Sequence, residues 1–203
     1  MNYEASDAKP LLDRVAIVTG SGQGIGRGVA MCLAHAGAHL VIADQVPERI
    51  ASVTSAIEDL GVQALGVATD VSRSDDVKRM IRQTVERFGK IDILVNNAGT
   101  LVVKPMVEQT EEEWDRVLEV NLKGVFICCR QVLPEMIARK RGAIVNIASI
   151  AAFHVTVPHV PYRRVQGRSG RAHARFGIRG GPPRHPRKCD RAGADRNADG
   201  RNH

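Results

Sequence analysis

The stretch VAIVTGSGQGIG, residues 15–26, decides the fold of this chain. It joins a short run of β-branched and apolar residues to a loop that carries four glycines. A short apolar run that ends in turn residues is typical of a buried parallel strand. The segment that follows the loop is expected to begin the first helix. The order of these features predicts a strand, a tight turn and a helix, which is the first unit of an α/β fold.

The same alternation of strand and helix patterns continues to about residue 150. Five short runs have the composition of buried parallel strands: Val15–Thr19, His39–Ala43, Ala64–Ala68, Ile91–Asn96 and Ala143–Ile147. Amphipathic helices are expected between these runs. Repeated β-α-β alternation predicts a doubly wound α/β fold with a parallel sheet.

Three local signals define the predicted helices. The segment from Asp75 to Phe88 places its apolar residues on one face, and Gly89 follows it as a C′ glycine. Gly61 ends an earlier helix in the same way. Thr110 stands three residues before a glutamate, which is the spacing of a capping box. These signals predict where helices begin and end around the strands.

The net charge of +7 is unevenly distributed. Residues 163–203 contain 12 Lys and Arg residues against three Asp, whereas residues 1–162 contain 17 basic and 19 acidic residues. The body therefore lacks the basic surface of a nucleic-acid-binding domain. We predict an N-terminal extension over 1–10, one nucleotide-binding domain over 11–162 and a basic, disordered tail over 163–203.

The remaining composition favours a cytoplasmic protein. Residues 1–10 are polar and lack the apolar core of a signal peptide, and no apolar run is long enough to span a bilayer. The four cysteines form no CxxC pair and no metal-ligand spacing, so reduced thiols and no metal are expected.

The glycine-rich loop predicts a binding site for a pyrophosphate. Glycines allow a close backbone approach, and the N-terminus of the following helix offers free N–H groups and a positive dipole end. Asp44, at the end of the second strand, can accept hydrogen bonds from the adenosine ribose hydroxyls and would repel a 2′-phosphate. The loop and Asp44 together predict a dinucleotide cofactor, NAD in preference to NADP.

Several motifs in order along the chain match one family. They are the TGxxxGxG pattern of Thr19, Gly20, Gly24 and Gly26, the pair Asp70 and Val71, the NNAG segment at residues 96–99, Asn121, Ser149 and Tyr162. This set resembles the short-chain dehydrogenase/reductase family from about Leu11 to Tyr162. The resemblance implies a Rossmann-like sheet, here truncated after the fifth strand, and an NAD(P)-dependent oxidoreductase. It assigns a set of cofactor-binding residues: Gly20, Ser21, Gln23, Gly24, Ile25, Gly26, Asp44, Asp70, Val71, Asn97, Ala98 and Gly99.

The resemblance also implies the catalytic chemistry. Hydride moves between the substrate carbon and the nicotinamide, while a proton moves on the substrate oxygen. Tyr162 would transfer this proton, Ser149 would donate a hydrogen bond to the same oxygen, and Asn121 would hold a water of a proton relay. The implied substrate is a small alcohol or carbonyl compound. Members of the family are usually homo-oligomeric. For this chain that expectation is weaker, because the sequence after Tyr162 departs from the family pattern.

The chain departs from the family directly after Tyr162. Gln166 stands where the family has a lysine that lowers the pKa of the tyrosine. A shift of the reading frame by one nucleotide would explain this departure. Reread in the next frame, residues 163–166 can encode Ala-Ala-Ser-Lys, and residues 184–197 can encode GIRVNAIAPGPIET, the family's sixth strand and PG turn. The chain as written is then expected to be impaired.

Three alternatives stay open from the sequence. The chain could be a 3-oxoacyl-acyl-carrier-protein reductase, although such reductases usually use NADPH and Asp44 argues against it. It could be a non-catalytic dinucleotide-binding protein, since the lysine is missing. Residues 163–203 could form a real basic tail that binds nucleic acid, but Phe176 is its only aromatic residue for stacking on bases.

Overall fold

The structure is a computed structural model that describes residues 9–149 of the chain. The predictions for residues 1–8 and 150–203 lie outside the described residues: most of the N-terminal extension, the role of Tyr162 and the disorder of the segment 163–203.

The described residues form one sheet of five parallel strands. The strands are β1 Val15–Thr19, β2 His39–Asp44, β3 Ala64–Ala68, β4 Ile93–Asn96 and β5 Ala143–Asn146. Their order in the sheet is β3-β2-β1-β4-β5, and every neighbouring pair is parallel. The order runs outward from β1 in both directions, which is the doubly wound Rossmann-like arrangement expected from the sequence.

Five α-helices connect the strands. They are α1 Gly24–His35, α2 Pro47–Glu58, α3 Ser74–Phe88, α4 Glu111–Leu118 and α5 Gly124–Ala138. A short 3-10 turn, Met106–Glu108, precedes α4, and a π-helical turn, Glu119–Lys123, joins α4 to α5. The helices cover both faces of the sheet, as a parallel sheet requires.

A hydrophobic core lies on each face of the sheet. Ile17 of β1 belongs to the core under α3 and α5, whereas Ala16 and Val18 belong to the core under α1 and α2. All five residues of β1 are buried. Burial on both sides explains why this strand reads as an uninterrupted apolar run rather than an alternating one.

The predicted end of α3 and the predicted start of α4 are confirmed. Gly89 ends α3 in the left-handed conformation with φ of 70°. Gly61 also adopts a left-handed φ, of 79°, but α2 ends earlier, at Glu58, so this glycine lies in the turn beyond the helix cap. Thr110 caps α4 in a reciprocal capping box with Glu113. The sequence signals at these positions are local, so no tertiary contact overrides them.

The start of β4 differs from the prediction. The strand begins at Ile93 rather than Ile91. Ile91 is fully buried, so its apolar character reflects the core and not the strand. Asp92, between Ile91 and the strand, accepts the N–H of Val15 with its carboxylate at 3.0 Å.

Among residues 9–149, no helix has the length and apolarity needed to cross a membrane. The same part of the chain contains no cluster of three or more His, Cys, Asp or Glu residues that could hold a metal ion. Cys32, Cys128 and Cys129 are free thiols, and burial raises the pKa of Cys128 to about 12.

Candidate cofactor site

A cavity of about 410 Å³ opens at the carboxyl edge of the sheet. It lies where the strand order reverses around β1, which is the usual position of a ligand crevice in doubly wound folds. The residues that line it come from the loops after β1, β2, β3 and β4, from the first turns of α1 and α2, from α4 and from the π-helical turn after it: Gly20, Gln23, Gly24, Ile25, Gly26, Asp44, Gln45, Val46, Arg49, Thr69, Val71, Asn97, Ala98, Gly99, Thr100, Arg116 and Val120. Most of the predicted cofactor-binding residues therefore surround one space.

The glycine loop after β1 forms one wall of this cavity. Gly20 and Gly24 adopt φ of 63° and 56°, in the left-handed region that favours glycine. Gly26 is needed for a different reason, because a Cβ there would lie 2.2 Å from the carbonyl oxygen of Gly20. The loop folds tightly back on the start of α1, which brings backbone N–H groups to the cavity.

The N-terminus of α1 is open toward this loop. Gln23 occupies the N-cap position without a side-chain hydrogen bond, and the first turn contains no acidic residue. The first N–H groups of a helix have no partner within the helix itself. This arrangement suits a phosphate group, which the N–H groups and the positive end of the helix dipole would both attract.

Asp44, the last residue of β2, is fixed by three backbone N–H groups. Its Oδ2 accepts the N–H of Gly22 at 2.9 Å. Its Oδ1 accepts the N–H groups of Gln45 at 2.9 Å and Val46 at 3.2 Å. The carboxylate is thus held in one orientation beside the glycine loop and at the cavity wall.

The segment Asn97–Gly99 is joined to the glycine loop through Thr19. The Thr19 hydroxyl accepts the N–H groups of Asn97 and Ala98, both at 3.0 Å. The amide nitrogen of Asn97 donates to the carbonyl oxygens of Thr19 at 2.9 Å and Gly20 at 3.1 Å. These bonds hold the loops after β1 and β4 as one unit along the floor of the cavity.

Ser21 was predicted to bind the cofactor, but its side chain points into the protein. It is fully buried, and its hydroxyl donates to the carbonyl oxygen of Val18 at 2.7 Å and accepts the N–H of Ala43 at 3.1 Å. Ser21 does not line the cavity. Its observed contacts join the glycine loop to β2.

Asp70 also lies behind the cavity wall, whereas its neighbour Val71 lines the cavity. One Asp70 oxygen accepts the N–H and hydroxyl of Ser72 at 2.9 and 2.6 Å, and the other accepts Arg116 at 3.3 Å. Burial alone would raise the pKa of Asp70, but the bonds from Ser72 and the charge of Arg116 outweigh it and lower the pKa below 3.8. The Asp70 carboxylate therefore stays charged near neutral pH.

Asn121 lies in the π-helical turn between α4 and α5 and is buried. Its Oδ1 accepts the N–H of Thr100 at 2.7 Å, and its Nδ2 donates to the carbonyl oxygen of Thr100 at 2.8 Å. The side chain thus clamps the loop after the NNAG segment. A π-helical turn is often found at functional sites, and the clamp shows a structural role for the predicted catalytic asparagine.

Ser149 lines a second cavity of about 260 Å³ that adjoins the first. The two cavities share the wall formed by Ile25, Asn97, Gly99 and Thr100. Ser149 therefore lies one cavity away from the glycine loop, on the side of the Asn97–Gly99 segment. Tyr162, its predicted catalytic partner, is outside the described residues.

Sequence reasoning missed three residues that line this site: Thr100, Arg49 and Arg116. Thr19 was recognised as part of the glycine pattern, but its hydrogen bonds to the segment after β4 were not predicted. Arg116 reaches the site from α4, and Arg49 from the first turn of α2. Contacts between such distant segments leave no local pattern, although a threonine directly before the first glycine was a usable signal.

The fold and the site define the class of protein: a doubly wound α/β protein with a glycine-rich loop and a strand-end carboxylate around one cavity at the carboxyl edge of its sheet. The sequence profile of the family described as short chain dehydrogenase matches residues 14–163. The chain therefore belongs to the short-chain dehydrogenase family.

Individual relatives agree with this membership. An uncharacterized oxidoreductase of Thermotoga maritima is 43% identical over 76% of this chain and 60% of its own length. A 3-oxoacyl-acyl-carrier-protein reductase of Staphylococcus epidermidis is 38% identical over 68% of this chain and 57% of its own length. The solved structure of NAD⁺-bound xylitol dehydrogenase superimposes with a TM-score of 0.75 at 31% identity, covering 77% of this chain and 61% of that chain. The chain thus spans about 60% of the length of the curated relatives it matches.

Proposed function

We propose that the chain holds NAD(H) in the 410 Å³ cavity. We also propose that the protein with its reading frame restored after Tyr162 transfers hydride between this cofactor and a secondary alcohol or ketone. One observation carries the proposal. The glycine loop, the open N-terminus of α1 and the Asp44 carboxylate converge on a single cavity at the switch point of the sheet. Each feature suits a different part of the dinucleotide.

The residues would hold the cofactor in the following way. Backbone N–H groups from Gly24 to Gly26 would bind the pyrophosphate. Asp44 would accept the hydroxyls of the adenosine ribose, and the Asp70–Val71 segment would lie against the adenine. Asn97, which lines both cavities, would lie along the cofactor toward the nicotinamide end.

Two side chains bear on the choice between NAD and NADP. The fixed carboxylate of Asp44 favours NAD, because it would repel a 2′-phosphate. Arg49 lines the same cavity, and its charge would favour that phosphate. We infer a preference for NAD because three backbone N–H groups hold Asp44 in place, whereas Arg49 is exposed and free to turn to solvent.

The bound nicotinamide would supply or accept the hydride. Ser149 would donate a hydrogen bond to the substrate oxygen, and Tyr162 would give or take the proton on that oxygen. Asn121 would act by holding the Thr100 loop at the boundary of the two cavities, as its observed hydrogen bonds support. A proton relay through a water near Asn121 remains part of the proposal.

Two competing functions have support of their own. The Staphylococcus epidermidis relative makes a 3-oxoacyl thioester the second substrate class to test. Gln166 in place of the family's lysine supports a protein that binds the dinucleotide without turnover. The family match ends at residue 163, directly after Tyr162, which supports the proposed change of reading frame at that point.

Titration of the 203-residue chain with NADH, followed by nicotinamide fluorescence, tests the proposal. We expect binding that Gly26→Ala abolishes, because the added Cβ would clash with the Gly20 carbonyl. Gly28→Ala is the matched control, since a Cβ at Gly28 meets nothing within 4 Å. Turnover assays with secondary alcohols and with 3-oxoacyl thioesters then separate the candidates. Absence of NADH binding would contradict the proposal, and binding without turnover would favour the non-catalytic alternative.

A further inference from the structure

The glycine at position 22 is not one of the glycines in the TGxxxGxG pattern. Its backbone is not in the left-handed region, in contrast to Gly20 and Gly24, so backbone conformation alone would accept any residue here. Gly22 is nevertheless buried. Its requirement for glycine must therefore come from what surrounds it.

Two neighbours occupy the space that a side chain would need. A Cβ at Gly22 would lie 2.8 Å from Cγ of Asp44, 2.9 Å from its Oδ2 and 2.8 Å from Cβ of Arg49. Carbon atoms in contact are normally about 3.5–4.0 Å apart. The Cβ of Arg49 can move only with the backbone of α2, whereas the Asp44 carboxyl lies at the end of a rotatable side chain. The carboxyl is therefore the group that can turn away from a side chain at position 22.

The backbone of Gly22 also donates the hydrogen bond that orients this carboxyl. Its N–H bonds Oδ2 of Asp44 at 2.9 Å. The same residue thus provides the bond and leaves the space that lets Asp44 approach the glycine loop. We propose that Gly22 is a positioning residue for cofactor specificity, which holds Asp44 where it recognises the adenosine ribose and rejects a 2′-phosphate. This inference rests on the proposed NAD site.

The test measures dissociation constants of NADH and NADPH for the 203-residue chain and its variants. Gly22→Ala is expected to weaken NADH roughly tenfold, the order expected when hydrogen bonds to a charged group are lost, while NADPH changes little. The NADH/NADPH preference therefore narrows. Gly28→Ala, in the exposed part of α1, is expected to leave both constants unchanged.

A double-variant cycle separates this role from a merely structural one. If Gly22 acts through Asp44, Gly22→Ala has no further effect on cofactor preference once Asp44→Ala is present. The contact of the new Cβ with the Cβ of Arg49 persists in the double variant, so cofactor preference and not melting temperature is the deciding measurement. Equal weakening of both cofactors in both backgrounds would overturn the inference.

The outcomes also distinguish this inference from the proposed function. If the unsubstituted chain prefers NADH and Gly22→Ala leaves this preference unchanged, only the role of Gly22 is refuted. If the unsubstituted chain binds neither cofactor, or prefers NADPH, the proposed NAD site and the Gly22 inference are both refuted.

Discussion

Asp76, in the first turn of α3, holds the loop that follows β3. Its Oδ2 accepts the N–H of Asp70 at 3.1 Å, and its Oδ1 pairs with Arg79 at 3.0 Å. The bond from the Asp70 N–H, with help from Arg79 and against the effect of burial, lowers the pKa of Asp76 below 3.8. The charged form of this carboxyl therefore stabilises the folded state.

We expect Asp76→Asn to lower the melting temperature near neutral pH and to have no effect in strong acid. A carboxyl whose pKa is lower in the folded state stabilises the fold above its unfolded pKa, near 3.8, and loses this contribution as the pH falls through the folded value. Melting curves of both proteins across the acid range test this. Asp75→Asn is the control, because the Asp75 side chain is 91% exposed. If the melting temperatures of Asp76→Asn and the unsubstituted protein differ by the same amount at all pH values, the charged Asp76 carboxylate is not the source of the stabilisation.

Alanine substitution should change the stability of the protein in opposite directions at a glycine that ends a helix and at a glycine within a helix. Gly89 ends α3 with φ of 70°, so Gly89→Ala is expected to destabilise the protein by about 1 kcal/mol. Gly28 lies exposed within α1 with open space around its Cα, so Gly28→Ala is expected to stabilise it by about 0.5–1 kcal/mol. Urea denaturation of the two variants measures both effects. Changes of the same sign would show that the local conformations do not control stability here.

Elements could be predicted well from the sequence because their signals are local. The capping box at Thr110 lies where the cap residues predicted it, and all five strands lie in the predicted segments, with bounds that differ by one or two residues in β2, β4 and β5. The start of β4 was misplaced, since a buried residue before a strand has the same apolar character as one within it. Ile91 is such a residue.

The site was less predictable because its contacts join distant segments. The glycine loop and Asp44 were recognisable from their order along the chain, and they do line one cavity. The inward direction of Ser21 depends on its bond to Ala43 of the next strand, and the clamp of Asn121 depends on Thr100. A one-dimensional pattern contains no information on such pairings.

At the scale of the whole molecule, the proposed change of reading frame makes a direct prediction. Removing one nucleotide after the Tyr162 codon should restore the family's lysine and sixth strand, and should increase both soluble yield and alcohol oxidation. The restored lysine should by itself increase the turnover rate, because it would lower the pKa of Tyr162, and general acid–base assistance is typically worth roughly 10²–10⁴ in rate. The measurements are soluble yield, NADH binding and turnover for the two versions of the gene.

The control is a third gene, restored in frame but with a methionine codon in place of the restored lysine codon. We expect it to give a folded protein that binds NADH and turns over slowly. Equal turnover by the 203-residue chain and the restored protein would contradict both the reading-frame hypothesis and the role assigned to the lysine.

The position of β1 in the middle of the sheet has a consequence for synthesis on the ribosome. β1 is made first, and β2 can cover one of its edges soon afterwards, since Val15 pairs with His39. Its other edge pairs with β4, where Ala16 meets Ile93, so about 50 further residues must be translated, which takes a few seconds at ~5–20 residues per second. During that interval the nascent chain carries an open apolar strand edge. Ribosome-associated chaperones are therefore expected to engage this chain until β4 has emerged from the exit tunnel.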